Sequence, residues 1–195
     1  MGLSEHFLVW RLRQGDPEAC RELVRRHHRG VYGYLRRLGA DAAQAEDLTQ
    51  ETYAKAWLRI GTLRRTASLR SWLLTIARNE FLQWVRVDRP EVAMGDDLVQ
   101  LPGQGPGADG ELLQFESEVE LRRAVVALEP ALQETVALHY FQGLSLREVG
   151  AVMGVPAGTV KSRVNRALGR LRERLETKEA KHGTERAGKA LARNP

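Results

Sequence analysis

Hydrophobic residues recur at intervals of three and four positions over most of the chain, which is the spacing of amphipathic helices. Alternation of the kind that strands show does not extend beyond a few residues. This pattern predicts an all-α fold with a central segment that lacks hydrophobic periodicity. The predicted helices cover residues 5–13, 17–38, 42–60, 69–86, 118–128, 130–142, 146–153 and 156–176.

Polar residues and glycines mark several of the predicted helix ends. Asp16 before Pro17 is typical of a helix start, since aspartate is a common N-cap and proline suits the first helical position. Asp41, followed three positions later by Gln44, matches a capping box. Gly39 lies between these two signals and is expected to end the intervening helix.

The central segment, residues 89–117, is acidic and rich in glycine and proline, which predicts a flexible linker. We therefore expect two small helical domains, residues 1–88 and 118–176, followed by a basic flexible tail over 177–195. The linker spans about 30 Å as a random coil but about 95 Å when fully extended. That extended length would let the two domains bind sites far apart.

The net charge of the chain, +5 overall, is distributed unevenly. Residues 1–88 have a net charge of +5, residues 89–118 have −6, and residues 119–195 have +6. Two basic blocks around an acidic one indicate two modules that face a polyanion such as a nucleic acid. Charge alone is equally compatible with an ordinary solvated surface. The choice between these two interpretations therefore depends on the sequence motifs.

Composition and motifs exclude several classes of function. A single cysteine, Cys20, rules out an internal disulfide and cysteine-based zinc sites, and it fits the reducing cytoplasm. No apolar run approaches the roughly 20 residues of a membrane helix, and no segment resembles a signal peptide. His27 and His28 point about 100° apart on a helix, which makes them a poor metal pair. Because no phosphate loop or catalytic motif occurs, we expect no catalytic residues, no cofactor and no metal.

A helix-turn-helix pattern occurs in the C-terminal part of the chain. Ser145 and Glu148 form a capping box at the start of a short helix. Gly154 is expected to end that helix in a tight turn, and Pro156 suits the first position of the next helix, which is longer and basic. A plain helical hairpin with a solvated basic face is the alternative interpretation.

The second helix of this pattern has one apolar and one polar face, because successive residues turn by about 100°. The predicted apolar face holds Val160, Val164, Ala167, Leu168, Leu171 and Leu175. The opposite face and its flanks offer groups for base edges and phosphates. The candidate DNA-binding residues there are Thr159, Lys161, Ser162, Arg163, Asn165, Arg166 and Arg170.

The third predicted helix presents an acidic surface. Its inner face is predicted to hold Leu48, Tyr53, Ala56, Trp57 and Ile60. Its outer face holds Asp47, Gln50, Glu51, Ala54 and Leu58. Carboxylates beside an amide, a small residue and an exposed leucine favour contact with a basic protein partner rather than DNA. A surface that is simply solvated is the alternative.

The fourth predicted helix and the loop before it form a second candidate DNA-binding region. The helix is apolar over most of its circumference, which places Asn79 among apolar neighbours, where it needs a hydrogen-bond partner. The loop before the helix, residues 61–68, is basic, and together with Asn79 it offers groups that can bind phosphates and an extruded base. A merely solvated loop is the alternative. The candidate residues are Arg64, Arg65, Ser68, Trp72, Thr75, Asn79 and Arg86.

Several short motifs occur together and in a fixed order. They are Gly15-Asp16, residues 45–53 (AEDLTQETY), 71–73 (SWL), 77–79 (ARN), 138–145 (LHYFQGLS) and 158–163 (GTVKSR). In this combination the chain resembles the extracytoplasmic-function (ECF) sigma factors of bacterial RNA polymerase. The resemblance covers about 6–86 and 118–175, and the family's third sigma domain is missing, as expected for this compact group.

The resemblance implies a role for each candidate surface. The segment that docks on the β′ clamp helices of the polymerase is matched by Asp47, Gln50 and Glu51. The elements that open the −10 promoter element and hold a flipped base are matched by the 61–71 loop and Asn79. The recognition helix that enters the −35 major groove is matched by Lys161, Ser162, Arg163, Asn165 and Arg166.

The resemblance thus implies a cytoplasmic sigma factor that binds promoter DNA and core RNA polymerase, at the β′ clamp helices and the β flap. It also implies an anti-sigma factor as a partner and no membrane insertion. One competing function is a stand-alone helix-turn-helix repressor or activator whose N-terminal half dimerises or senses a ligand. Another is a protein that only tethers the polymerase. Two separate DNA-facing modules and the lack of dimerisation heptads favour the sigma factor.

Overall fold

The computed structural model describes residues 4–64, 69–88, 121 and 124–191. This part of the chain contains helices and turns but no strand, which confirms the predicted all-α fold. A 3₁₀ turn (Ile60–Thr62) follows the third α-helix, and a π turn (Ala137–Phe141) follows the fifth. The α-helices are α1 (Glu5–Arg13), α2 (Pro17–Leu38), α3 (Ala42–Arg59), α4 (Leu69–Asp88), α5 (Pro130–Val136), α6 (Leu146–Met153) and α7 (Ala157–Leu191).

The bounds of α1 to α4 and of α6 agree with the predicted helices to within two residues. The helix predicted over 130–142 instead changes to a π turn at Ala137. Of the helix predicted over 118–128, residues 121 and 124–126 are helical, residues 127–128 are not, and the others lie outside the described residues. The predicted linker also lies outside them.

The predicted end of the last helix at residue 176 is wrong, because α7 continues to Leu191. Residues 177–191, expected as a flexible tail, include three alanines, two glutamates and three lysines. These residues have high helix propensity whether or not they form an apolar face, so hydrophobic periodicity underestimates the helix. Residues 192–195 lie outside the described part of the chain.

The N-terminal module, formed by α1 to α4, is a bundle in which α2 packs against each of the other three helices. The Asp16 carboxylate accepts a hydrogen bond from the Glu18 N–H at 2.9 Å, which caps α2. Asp41 and Gln44 form a reciprocal capping box at the start of α3. Gly39 ends α2 with φ of 107°, a conformation that favours glycine. These predicted helix ends are therefore confirmed.

The C-terminal module, formed by residues 124–129 and by α5 to α7, has a small core of its own, in which α5 and the residues before it pack against α7. That core consists of Ala124, Leu128, Leu132, Val136, Ala167 and Leu171. On its other side the module packs against the N-terminal module, with α6 against α4 and α5 against α2. Buried side chains of both modules join there into one continuous hydrophobic cluster. The two modules are thus in direct contact, which the sequence did not predict.

Candidate nucleic-acid interface

The predicted helix-turn-helix is present as α6, a tight turn and α7. The Glu148 carboxylate accepts a hydrogen bond from the Ser145 N–H at 2.9 Å, and the Ser145 hydroxyl accepts one from the Glu148 N–H at 3.4 Å. Gly154 makes the turn with φ of 70°. The Val155 N–H then donates to the Gly150 carbonyl at 3.0 Å, which fixes the turn against α6.

One face of α7 is buried and the opposite face is exposed. Val160, Val164, Ala167 and Leu171 are buried, but the prediction for Leu168 is wrong, because this side chain is 42% exposed. It lies at the edge of the apolar stripe, whereas α5 packs over Ala167 and Leu171. The side chain of Leu175, the last residue predicted for the apolar face, is outside the described part of the structure.

The candidate DNA-binding side chains of α7 differ in their exposure. The Ser162 hydroxyl donates to the Thr159 carbonyl at 2.8 Å and keeps its lone pairs available as acceptors. Thr159 and Arg163 are half-buried. The exposed residues are Lys161, Ser162, Asn165, Arg166 and Arg170. Cations therefore flank a strip of polar side chains, an arrangement that can contact both phosphates and base edges.

The outer face of α3 is exposed along its length. Leu58 is 81% exposed, although it is a large apolar side chain. The Glu51 carboxylate pairs with the Lys55 ammonium at 3.3 Å, and Lys55 also pairs with Glu80 of α4. The exposed residues of this face are Asp47, Gln50, Glu51, Ala54 and Leu58. On the inner face, Leu48, Tyr53, Ala56 and Ile60 are buried and Trp57 is half-buried.

An open groove of about 430 Å³ lies beside this face, between α3 and the start of α2. The Tyr53 hydroxyl is buried and has no hydrogen-bond partner among the described residues. Burial raises the pKa of the Cys20 thiol, so the thiolate is disfavoured. The lining residues are Pro17, Cys20, Arg21, Tyr53, Ala54 and Trp57. The groove extends the acidic face with apolar surface, and sequence reasoning missed it because two helices contribute to it.

The polar stripe of α4 lies on the surface. The expectation that Asn79 is surrounded by buried neighbours is wrong, because its side chain is exposed beside other polar positions of the stripe. The Thr75 hydroxyl donates to the Ser71 carbonyl at 2.9 Å. Arg64, Asn79 and Arg86 are exposed, while Trp72 and Thr75 are half-buried. Arg65 and Ser68 lie outside the described residues.

A buried ion pair connects the two modules. Glu134 of α5 is only 1% exposed, and its Oε1 accepts hydrogen bonds from Arg78 Nε of α4 and from the Tyr34 hydroxyl of α2, both at 2.7 Å. Burial, and then the charge of Glu134, raise the pKa of Tyr34. Burial alone would lower the pKa of Arg78, but the Glu134 charge raises it. Sequence reasoning missed this cluster, since its members lie 56 and 100 positions apart.

Two kinds of feature are absent from the described part of the chain, a membrane-spanning helix and a cluster of metal ligands. None of the helices there combines the length and the apolar character that crossing a bilayer requires. None of the groups of His, Cys, Asp or Glu side chains there has three or more members arranged to hold a metal ion.

Comparison with known proteins links this geometry to a family. Residues 23–90 match the family Sigma-70 region 2, and residues 124–173 match Sigma-70, region 4. The ECF RNA polymerase sigma factor RpoE of Cereibacter sphaeroides is 33% identical over 162 residues, which are 82% of this chain and 88% of RpoE. The chain belongs to the ECF sigma factors of the sigma-70 family.

Other relatives agree with this assignment. The ECF RNA polymerase sigma factor SigE of Mycolicibacterium smegmatis is 34% identical to this chain over 172 residues. The aligned residues are 87% of this chain and 65% of SigE. The sigma factor RpoE of Bartonella quintana, solved with the anti-sigma factor NepR, has a TM-score of 0.61 and 31% identity. The structural match covers 75% of this chain and 90% of the Bartonella quintana RpoE chain. The family acts in promoter-directed transcription initiation and is not an enzyme class.

Proposed function

We propose that this sigma factor binds core RNA polymerase through its N-terminal module and contacts two promoter elements with different modules. In this proposal residues 1–88 bind the core enzyme and the −10 element, residues 118–176 bind the −35 element, and residues 89–117 join them. The observation that carries it is the contrast between two exposed faces, acidic with apolar edges on α3 and cationic on α7. Only the cationic face suits a nucleic acid.

The face of α3 fits a basic protein surface. Asp47 and Glu51 supply negative charge, and Leu58 and the adjacent groove supply apolar contact area. Protein interfaces commonly combine an apolar centre with charge complementarity. We assign the β′ clamp helices of the polymerase as its partner and the β flap as a partner of the C-terminal module. Gln50 and Ala54 complete the proposed contact surface.

The stripe of α4 and the preceding loop fit opened promoter DNA. Arg64 and Arg86 are exposed cations for phosphates, and Trp72 offers a ring on which a base can stack. Asn79 and Thr75 offer hydrogen-bonding groups for a base edge. Extruding a base costs a few kcal/mol, which these contacts would offset. Arg65 and Ser68 belong to this proposed site by their position in the sequence.

Three further assignments follow from this function. We infer that the protein is not an enzyme, because its role is to position a polymerase that does the chemistry. It works in the cytoplasm, where the polymerase and the promoter DNA are. It has an anti-sigma factor as a regulatory partner, as the RpoE of Bartonella quintana does.

Transcription with purified components tests the proposed function. The full chain is added to core polymerase and a pool of promoter fragments, with core polymerase alone as the control. We expect transcripts from defined start sites only when the chain is present. A repressor would reduce transcription instead, and a protein that only tethers the polymerase would leave start-site use unchanged. Either result would contradict the proposal.

Arg166→Ala and Lys161→Ala should impair −35 binding in different ways. Arg166 and Lys161 are both exposed on α7, with Arg166 near the centre of the face opposite Val160 and Val164 and Lys161 on its flank. Loss of a bidentate arginine–guanine contact costs about 1–3 kcal/mol and relaxes the preference at one base pair. Loss of a phosphate contact weakens binding to all sequences and lowers the salt slope by about one unit.

The two variants are compared as holoenzymes on a series of −35 substitutions at several salt concentrations. We expect Arg166→Ala to flatten the response at one promoter position and Lys161→Ala to change only the salt dependence. Uniform weakening by both substitutions would mean that Arg166 does not read a base.

Asn79→Ala should impair strand opening more than duplex binding. Asn79 is exposed on α4, in the stripe that we assign to the −10 element. Its amide can pair with an extruded base, and alanine cannot. Permanganate footprinting of the −10 region measures opening, and occupancy of the −35 duplex by the same holoenzyme is the control. Opening that remains normal at full occupancy would contradict this role.

A further inference from the structure

None of the individual residues assigned to polymerase or DNA lies on α1, which precedes residue 23, where the match to Sigma-70 region 2 begins. Three buried side chains of α1, Leu8, Val9 and Leu12, anchor it in the N-terminal module, where it packs against α2. The helix also contacts the 3₁₀ turn at Ile60–Thr62, which directly precedes Leu63 and Arg64. The last turn of α1 is therefore held beside the backbone that carries Arg64.

Arg13, the last residue of α1, reaches across to this backbone. The residue is exposed, and its Nη2 donates a hydrogen bond to the Leu63 carbonyl, 50 positions further along the chain. A hydrogen bond with a charged donor is roughly twice as strong as one between neutral groups. Arg13 thus connects α1 to the peptide group immediately before Arg64.

Leu63 is fixed at three points. Its side chain is 2% exposed in the core, its N–H donates to the Ile60 carbonyl at 3.2 Å, and its carbonyl oxygen accepts from Arg13. Because a peptide group is planar, the Leu63 oxygen lies in one plane with the nitrogen and Cα of Arg64. The position of this oxygen therefore sets the direction in which Arg64 leaves the core.

The Arg64 guanidinium is available to an anion. Arg64 is exposed and forms no ion pair with any of the described residues. Other arginines of the same module are neutralised by acids, as Arg11 is by Asp16 at 2.6 Å. A guanidinium has five N–H donors in a fixed planar arrangement that matches a phosphate group. An unpaired guanidinium on a fixed backbone is thus suited to a phosphate of a DNA strand.

We propose that Arg13 is a positioning residue for promoter opening, which fixes the Leu63–Arg64 peptide and thereby directs the Arg64 guanidinium to a phosphate of the opened −10 strand. This inference rests on the proposed function, in which Arg64 and the stripe of α4 bind that strand. Arg13 acts through Arg64 and does not itself contact the DNA. Without its hydrogen bond, Arg64 is ordered only when the strand binds, and the entropy cost of this ordering weakens the contact.

Binding of the holoenzyme to a forked promoter probe, single-stranded over the −10 element, tests the proposal at several salt concentrations. Each phosphate contact to a single strand contributes about 0.7 to the salt slope, so Arg64→Ala should lower the slope by about 0.7. Arg13→Met removes the donor but keeps an unbranched side chain. It should lower the slope by the same amount and weaken binding by about tenfold, the effect of one charge-assisted hydrogen bond.

The variant with both substitutions separates positioning from a direct contact. If Arg13 acts through Arg64, Arg13→Met combined with Arg64→Ala should still lower the slope by about 0.7, because each substitution removes the same phosphate contact. A fall of about 1.4, the sum of two independent contacts, would overturn the proposal. An unchanged slope for Arg13→Met would overturn it as well.

Two further variants serve as controls. Arg13→Lys keeps a donor of nearly the same reach and should retain most of the binding to the probe, whereas a loss as large as that of Arg13→Met would contradict the role of the hydrogen bond. Arg25→Met removes a cation from an exposed position of α2 and should leave the slope unchanged. An equal fall for Arg25→Met and Arg13→Met would reveal a general effect of charge and overturn the proposal. Unchanged affinity for core polymerase shows that each variant keeps its fold.

Tryptic cleavage of the free chain after Arg64 adds a readout that does not depend on polymerase. Arg13→Met should be cleaved there several-fold faster than the unchanged chain, because a segment released from its anchor enters a protease more readily, and Arg25→Met should be cleaved at the unchanged rate. Equal rates for Arg13→Met and the unchanged chain would overturn this inference alone. If the unchanged holoenzyme bound the forked probe no better than core polymerase does, the proposed function would fail, and this inference with it.

Discussion

Asp47→Ala combined with Glu51→Ala should reduce the affinity for core polymerase by about 30-fold or more. Both carboxylates lie on the exposed face of α3, next to the 81% exposed Leu58. Truncating an interfacial charge with a paired partner costs about 2–5 kcal/mol, and 2 kcal/mol corresponds to about 30-fold in Kd. The fold should be unaffected, because Lys55 keeps its ion pair with Glu80 when Glu51 is replaced.

Titration of labelled protein with core polymerase measures this affinity. The matched control is Glu129→Ala combined with Glu173→Ala, which removes the same charge at two exposed positions of the C-terminal module, away from α3. The control should bind within about twofold of the unchanged protein, as surface substitutions outside an interface have small effects. Equal affinity of the test and control variants would contradict the assignment of this face to the polymerase.

Gly150→Ala should strongly destabilise the helix-turn-helix. Gly150 is buried in α6, and a Cβ added there would lie 2.6 Å from the backbone oxygen of Val155. Because the obstructing atom belongs to the backbone, the turn itself must shift. Such overpacking typically costs about 1–3 kcal/mol. The same shift would misplace α7 relative to α6, so binding to the −35 element should weaken as well.

Gly158→Ala is the matched control, because it adds the same atom in the first turn of α7. A Cβ at Gly158 meets no atom within 4 Å, and alanine favours helix over glycine by about 1 kcal/mol. Urea unfolding followed by circular dichroism should therefore shift in opposite directions for the two variants. A Gly150→Ala protein as stable as the unchanged chain would show that the turn is not fixed by this contact.

The local structure of the chain was predictable because its signals are local. Capping pairs such as Ser145 with Glu148, and turn glycines such as Gly154, act over three to five residues, and the structure contains each of them. Hydrophobic periodicity likewise gave the buried side of α7, apart from Leu168 at its margin. The motifs were sufficient to identify the family, which the matches to both sigma regions confirm.

The packing of the two modules was not predictable, because it depends on residues far apart in the sequence. Glu134 looks like a solvated acid on a short helix, yet it is buried against Tyr34 and Arg78. No periodicity or spacing reports a partner 100 positions away. The groove beside α3 was missed for the same reason, since α2 and α3 both contribute to it. The residue roles at the candidate DNA-binding surfaces stay predictions.

The central claim is that one chain places α4 at the −10 element and α7 at the −35 element of the same promoter. Site-directed DNA cleavage tests it most directly, with an iron chelate attached to Val87→Cys or Arg172→Cys in a Cys20→Ser background. In the holoenzyme–promoter complex, we predict cuts near −10 from Val87 and near −35 from Arg172, about two duplex turns apart. Cuts by both positions in the same segment would contradict the account.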